Sequence, residues 1–537
     1  MKMKSIQTLE KKSKFAVNAA EMRRCDTATI EHFGVHQDVL MERAALSLYE
    51  AAIGKCPKGG NVVVFAGTGN NGGDGVATAR LLYQAGIDVS LLYVNHKKGR
   101  KTDALKRQMN IAKKYGVPAY FFDKEDNPKL IVKKCDVIID AMLGTGCSRA
   151  LGGEFEKAVM LIDEILLESE KRPYVIAADI PTGINSDNGQ ICGCCVKADM
   201  TVTFGFVKLG QLLFPGNEYV GELKLCEVGI TEDGFLSDYP AYKYIDRGAS
   251  VKTLIPKRSP SGNKGTFGKV LVVAGSRRVS GACIMAAESA LKSGAGMVRI
   301  FTEKANLSAV QTLLPEAMSD VYDEDDTEVL KKIGESLPDA IDWADAVVCG
   351  PGIGTGEIGK ELLRTVLKGL DKKLVLDADA ISILANDKEL RDKFRLYRGD
   401  KVLTPHLAEF SRLAGESLKK CRENILTLPC ILAKDFDASI ICKDARSVIT
   451  DGNRNYINIS GNDGMATAGS GDVLAGLLGA LCCREYEDVF SACVIGCFLH
   501  GRAGDIAADR HGKCAMTARD ISEALQDIFA DKTEVMK

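Results

Sequence analysis

The sequence predicts an α/β protein of two domains, and three observations carry that prediction. The chain has 537 residues, more than one hydrophobic core serves well. Its first half alternates valine- and isoleucine-rich runs with amphipathic stretches, the pattern of parallel strands covered on both faces by helices. After an interruption rich in turn residues, the same alternation starts again.

In the first half the strand candidates are "NVVVFAG", "DVSLLYVN", "DVIIDAM", "YVIAADI" and "MTVTFGF". Helical patterns such as "GVATARLLYQAG" and "TDALKRQMNIAKKYG" separate the earlier ones. The pattern lapses after "GELKLCEVGI". The stretch from Thr231 to Ser261, with "TEDG", "SDYPAY" and "PKRSPSG", lacks periodicity. A boundary is expected there, near Asp238, giving domains 1–235 and 236–537. The second half resumes with "GKVLVVAGS", "GMVRIFTE", "DAVVCGPG", "KLVLDADA", "KVLTPH" and "ASIICKD".

Composition narrows the partners. A formal net charge of -2 gives no electrostatic case for nucleic acid or anionic membrane. Apolar runs such as "VLAGLLGALCC" fall short of a membrane span, and the basic N-terminus has no apolar signal core. Eighteen cysteines are mostly single and embedded in apolar segments. This suits free thiols in a reducing, cytoplasmic setting. "ICGCC", with Cys192, Cys194 and Cys195, has no second pair at zinc-site spacing and is read as plain thiols.

Ligands of such sheets bind where loops leave the carboxyl ends of strands. The first of these loops, "GTGNNGGDG", is followed by a helix expected to start between Gly73 and Val76. A helix start offers unpaired N–H groups to an anion. The spacing matches neither the dinucleotide fingerprint nor the P-loop. It has no lysine, and it carries Asp74. The amide oxygens of Asn70 and Asn71 are hard ligands suited to potassium or magnesium. "DVIIDAMLGTG" and "VIAADIPTGINSDNG" place Asp140, Asp179 and Thr182 at two more strand ends. Asx and Thr also favour ordinary turns, but three such loops from one sheet point to one pocket.

In order and spacing, these three motifs resemble the NAD(P)H-hydrate epimerase domain, over roughly 15–230 and including "EMRRCDTATI" and "LMERAA". The resemblance implies a Rossmann-like three-layer sandwich that inverts the hydroxyl-bearing C6 of hydrated nicotinamide cofactors. It implies substrate contacts from Asn70, Asn71, Gly72, Gly73 and Asp74, and from Gly144, Thr145, Gly146, Cys147, Ser148, Arg149 and Ala150. It implies potassium ligands at Asn71, Asp140 and Thr182, and a substrate-contacting, catalytic Asp179. Family members often have serine at the Thr182 position; threonine keeps the hydroxyl.

In the second half, "NDGMATAGSGDVLAGLLGAL" places Ala468, Gly469, Ser470 and Gly471 ahead of an apolar helix expected to start near Gly471. The small residues leave N–H groups open to an anion. Asp472 sits at the first turn, where it suits either a cap or a general base for a hydroxyl attacking a phosphoryl group. Glycine-rich loop and aspartate together resemble ribokinase-like kinases. With "SGNKGTFGKVLVVAGS", "AAESALKSGAGMVRI", "VVCGPGIG", "VLDADAIS", "LTPHLAEFSRL" and "ILAKDFDASIICKD" they resemble the ADP- or ATP-dependent NAD(P)H-hydrate dehydratases, over roughly 250–529.

That resemblance implies a ribokinase-like α/β domain in which the nucleotide phosphorylates the C6 hydroxyl, phosphate leaves, and NAD(P)H is restored. It implies substrate contacts from Ala287, Gly354, His406 and Asp472, the last catalytic. It implies an adenine-nucleotide site at Lys434, Asp435, Phe436, Asp437, Ala438 and Gly471. The chain departs from the family at the nucleotide segment, where "KDFDAS" replaces a glycine-containing "KG…T". It departs also at "TPHLAE", where proline often follows the histidine.

The combined expectation is a bifunctional cofactor-repair enzyme, cytoplasmic and homo-oligomeric, acting on NADHX and NADPHX. Its cofactors would be K+ in the epimerase domain, ADP or ATP as phosphoryl donor, and Mg2+ in the dehydratase. Fused members resembling this chain generally use ADP. The competing readings are a ribokinase-like small-molecule kinase behind a regulatory domain, and a non-enzymatic binding scaffold.

Overall fold

The structure is a computed structural model that describes residues 9, 11–96, 99–124, 128–369, 371–484, 486 and 488–530. Two compact units emerge, and the chain passes from Phe15–Ala241 to the second at Tyr242. Ser13 and Lys14 belong with the second unit. The Ser13 hydroxyl lies 3.0 Å from that of Tyr456, and Lys14 pairs with Asp246 at 2.8 Å.

The first unit is built on a seven-stranded sheet. Its strands are β1 (Asn61–Ala66), β2 (Asp88–Tyr93), β3 (Ala119–Phe121), β4 (Val137–Ala141), β5 (Tyr174–Ala178), β6 (Met200–Phe204) and β7 (Glu222–Cys226). They lie in the order β3-β2-β1-β4-β5-β6-β7, every pair parallel. Val62, Val64 and Ala66 feed one core and Val63 and Phe65 the other. With both faces covered, the strands read as unbroken apolar runs. The order reverses between β1 and β4, and the glycine-rich loop leaves β1 at that point.

In the second unit the strands are β8 (Tyr242–Ile245), β9 (Lys269–Val273), β10 (Met297–Glu303), β11 (Met318–Tyr322), β12 (Ala346–Cys349), β13 (Lys373–Leu376), β14 (Lys401–Leu403), β15 (Ser439–Cys442), β16 (Val448–Thr450) and β17 (Asn455–Ile457). Their order is β11-β10-β9-β12-β13-β14-β15-β16-β17-β8. The pairs from β11 to β15 are parallel, and β16 is antiparallel to both its neighbours. Val270 and Val272 enter one core, Leu271 and Val273 the other.

Two expectations are corrected here. The turn-rich stretch holds a strand, because Tyr242–Ile245 pairs with β17; Pro240 before it and Asp246 and Arg247 after it mask this four-residue strand. Among the described residues, the helix Val489–His511 is long and apolar enough to cross a membrane. It is instead packed in the core of the second unit, its Val494, Phe498 and Leu499 among the cluster that backs the sheet.

Candidate active sites

The glycine-rich loop of the first unit is tighter than its sequence suggests. The helix after β1 spans Asn70–Gln84, with Gly69 as its cap, so it starts three residues earlier than expected. Both asparagines therefore lie in its first turn. Close approach explains the glycines. A Cβ at Gly67 would stand 1.8 Å from the Met142 carbonyl oxygen, one at Gly72 would stand 2.1 Å from that of Gly67, and one at Gly75 would strike the Ala141 methyl at 2.5 Å. No side chain fits where the helix presses on the ends of β1 and β4.

The three strand-end loops do converge. Asp140 is fully buried and accepts from the Met142 N–H at 3.2 Å, the Thr182 N–H at 2.8 Å and the Thr182 hydroxyl at 2.7 Å. Burial pushes its carboxyl up to about 6, against the pull of those donors. Against Gly144, four residues further along the Asp140 loop, Asn71 is buried with neither side-chain atom partnered. An orphaned amide costs stability unless something binds it. A buried carboxylate, an orphan amide oxygen and a hydroxyl form an all-oxygen donor set without thiolate or imidazole, which fits a hard monovalent cation.

Asp179 stands at the end of β5 with φ of +64°, unusual for a residue with a Cβ. Its Oδ1 is held by the buried Lys208 ammonium. Its Oδ2 faces Gly144, where an added Cβ would lie 3.4 Å from it and 3.5 Å from the Asn71 Cβ. Asp179, Asn71 and the start of the 144–150 loop thus border one space. From that loop, the Thr145 carbonyl accepts from the Ser186 hydroxyl at 3.2 Å, and Cys147 is buried. Asp74 joins the cluster. Its carboxyl is raised well above the usual range, by burial first and then by the charges of Asp179 and Asp26, with Lys208 opposing. Asp26 is raised for the same reasons, burial first. Asp26 and Lys208 were missed in the sequence. Their signals were the aspartate inside "EMRRCDTATI" and the lone lysine after "MTVTFGF".

In the second unit, the helix Ser470–Cys482 begins after Gly469, whose φ is +89° and which supplies no side-chain cap. Asp472 lies in its first turn and takes part in no capping box. Burial, then the charge of Asp377, pushes its carboxyl up to about 7, with Lys443 opposing. Asp377, at the end of β13, accepts from Lys443 Nζ at 2.8 Å and from the Thr404 hydroxyl at 2.7 Å. Burial works against the Lys443 charge, but Asp377 and Glu409 outweigh it and its pKa is raised. Gly471 completes the approach, since a Cβ there would lie 3.2 Å from Lys443 Nζ and 3.4 Å from Asp377 Oδ2.

Gly354 follows β12 with φ of +77°, and its N–H donates to Asp379 Oδ2 at 2.9 Å. Asp379 in turn raises Asp472. His406 caps the helix after β14, its Nδ1 accepting from the N–H groups of Ala408 and Glu409 at 3.1 and 3.3 Å. The ring proton is therefore on Nε2, 3.3 Å from Glu409 Oε1. Burial, then Lys443, lowers its pKa.

Two expected contacts are not brought to this cluster. Ala287 lies inside the helix Ser280–Lys292, fully buried in the core. Lys434, Asp435, Phe436, Asp437 and Ala438 precede β15, at its amino end, whereas Asp472's neighbours follow carboxyl ends. Lys434 packs on Gly452, Asp435 pairs with Arg395 at 2.8 Å, and Phe436 is core. The pair Lys-Asp occurs twice, in "KDFDAS" and again in "KDARS". Only the strand between them shows that Lys443, not Lys434, reaches the site.

Comparison with known proteins divides the chain into the same two parts. A family model described as YjeF-related protein N-terminus matches residues 37–210, and one described as NAD(P)H-hydrate dehydratase matches residues 270–527. A bifunctional NAD(P)H-hydrate repair enzyme from Thermofilum pendens is 35% identical over 509 residues, 93% of either chain. The chain belongs to the bifunctional NAD(P)H-hydrate repair enzymes. A second member of that family, from Moorella thermoacetica, is 32% identical over 97% of each chain. Among solved structures, an ADP/ATP-dependent NAD(P)H-hydrate dehydratase from Bacillus subtilis, co-crystallised with ATP and Mg2+, is 26% identical, with a TM-score of 0.45 over 52% of this chain and 95% of its own. The two family models fall on separate units, and apart from Asp26, which precedes the first match, each cluster lies within the span of one of them.

Proposed function

We propose that this chain epimerises R- and S-NAD(P)HX in its first unit and dehydrates the S form in its second, converting ADP to AMP and phosphate. The observation that carries the reading is the Asp472 carboxyl, held at the open N–H groups of a helix start beside the Lys443–Asp377 pair. A helix start and an ammonium attract the phosphate of a nucleotide. The carboxylate accepts the proton of the C6 hydroxyl as that oxygen attacks the terminal phosphoryl group. The C6–O bond then breaks as N1 lends its electron pair and phosphate departs, a better leaving group than hydroxide. Loss of a C5 proton to the departing phosphate or water returns the pair to N1 and restores the C5–C6 double bond.

Among the described residues, no group of three or more acidic, histidine or cysteine side chains forms a metal cage. Mg2+ usually takes only one or two carboxylates, with phosphate oxygens and water completing its shell. Asp377 and Asp379 offer those carboxylates, and the metal would neutralise phosphate charge.

In the first unit, Asn71, Asp140 and Thr182 would hold K+, which would supply a fixed positive charge beside the substrate. C6 of the hydrate carries both the hydroxyl and ring nitrogen N1. Asp179 takes the hydroxyl proton, the C6–N1 bond breaks as the carbonyl forms, and N1 receives the electron pair and a proton from Asp74. Reclosure on the other face returns both protons and inverts C6. Burial keeps a proton on the Asp74 carboxyl, which suits it to the acid role.

The test is to supply mixed R- and S-NADHX with ADP, ATP or neither. Recovery of 340 nm absorbance to completion, with stoichiometric phosphate, is expected with ADP. A stable phosphorylated product without NADH would instead indicate a small-molecule kinase.

A further inference from the structure

Lys208 is an uncommon lysine. Its side chain is 1% exposed, against 16% for its partner Asp179. A buried ammonium is costly unless each N–H finds an acceptor. Here the Asp179 carboxylate, the Thr203 hydroxyl at 2.9 Å and the Phe204 carbonyl at 3.0 Å take all three. The same segment grips the aspartate a second time. The Gln211 amide donates to the Asp179 carbonyl at 2.6 Å, and its Oε1 accepts from the Lys208 N–H at 2.7 Å. A third hold comes from the Asp179 N–H, which donates to the Val202 carbonyl at 2.8 Å.

These holds surround a residue with a left-handed backbone. Such a conformation persists in a non-glycine only where its surroundings over-determine it. The consequence is directional. Oδ1 is tied to the ammonium, so Oδ2 is turned toward Gly144 and Asn71, into the space bordered by the three loops. The other charged groups facing this pair are Asp26 from the helix Ala19–Glu31 and Asp74 from the helix Asn70–Gln84. Lys208 is thus the cation among three carboxyl groups.

We propose that Lys208 is a positioning residue of the epimerisation site, which acts through Asp179 by charge-pairing one carboxylate oxygen and aiming the other at the reacting hydroxyl. This rests on the first unit being the epimerase. Without the ammonium, the Asp179 carboxylate would stand buried beside Asp26 and Asp74 with nothing to fix its rotamer.

The experiment measures R-to-S conversion of NADHX by chromatography in the full chain, with dehydration of pure S-NADHX as an internal control. For Lys208→Met, kcat for epimerisation is expected to fall on the order of 10²-fold or more, the scale of losing an acid–base group. KM should change by less than about threefold, since Asn71 and the 144–150 loop are untouched, and dehydration should persist. Asp179→Asn should lose as much, and Asp179→Asn/Lys208→Met no more than Asp179→Asn alone. That last comparison stands even if Lys208→Met alone does not fold, because the double variant leaves no unpaired buried charge. An active wild type whose Lys208→Met keeps kcat within about threefold would overturn the inference alone. So would a further large loss in the double variant. A wild type that does not interconvert the hydrates would overturn the epimerase reading and this inference together.

Discussion

Asp472 should give dehydration an acid limb near neutrality. Its carboxyl is lifted from 3.8 to about 7, by burial and then by Asp377. A base works only when deprotonated. With a pKa of about 7 in the free enzyme, about one-tenth is competent at pH 6 and about nine-tenths at pH 8, so kcat/KM should rise about tenfold between them. Neighbours set the direction of any change. Asp377→Asn removes a raising charge and should move the limb to lower pH; Lys443→Met removes the opposing charge and should move it higher. Asp472→Asn should lose on the order of 10²–10⁴-fold in kcat while ADP still binds. The stability sign is also defined. A carboxyl whose folded pKa lies above its unfolded value favours the folded state while protonated, and that contribution is lost as pH rises from about 4 to about 7. The asparagine variant escapes this loss, so at pH 8 its Tm should equal or exceed wild type. Glu409, which burial also pushes up to about 7, titrates nearby, so the same profile should be taken in Glu409→Gln, where the limb is expected to remain. The assay is stopped-flow NADH absorbance at subsaturating S-NADHX and ADP from pH 5.5 to 8.5, which reads kcat/KM. A flat profile across that range, or near-wild-type turnover in Asp472→Asn, would refute the general-base assignment.

Further outcomes follow from the same geometry. Asp140→Ala should slow epimerisation and abolish its dependence on potassium; equal wild-type rates in potassium and in a large organic cation would dispose of the cation site. Lys443→Met should raise the KM for ADP at least tenfold, whereas Lys434→Met should leave it within about twofold, and the reverse ranking would restore the earlier segment. A fragment beginning at Tyr242 should be more stable than one beginning at Ser250, because the latter lacks the strand paired with β17; identical melting curves would show that strand to be dispensable.

The sequence by itself determined the two α/β halves, since strands buried on both faces must be apolar throughout and the helices between them amphipathic. It also determined that Asn71, Asp140, Asp179 and Thr182 belong together, because parallel topology sends every strand-end loop to one edge. Asp472 and its glycine-rich approach were legible for the same reason. Tertiary structure alone decided the partners. Asp26 lies inside a quoted stretch and Lys208 in none, but the charge of each has meaning only where burial brings it to Asp179. The two Lys-Asp pairs around β15 are alike in local sequence. They differ only in which end of the strand they occupy, a distinction that composition and periodicity do not carry. Ala287 sat in a quoted helical motif, yet which face of a helix meets the core is settled by what packs against it. The strand at Tyr242–Ile245 is four residues long between a proline and two charges, and its ladder partner lies more than two hundred residues away at Asn455–Ile457. Local pattern reports a residue's own preference, while registry, burial and electrostatic neighbours are properties of chain segments that meet only after folding.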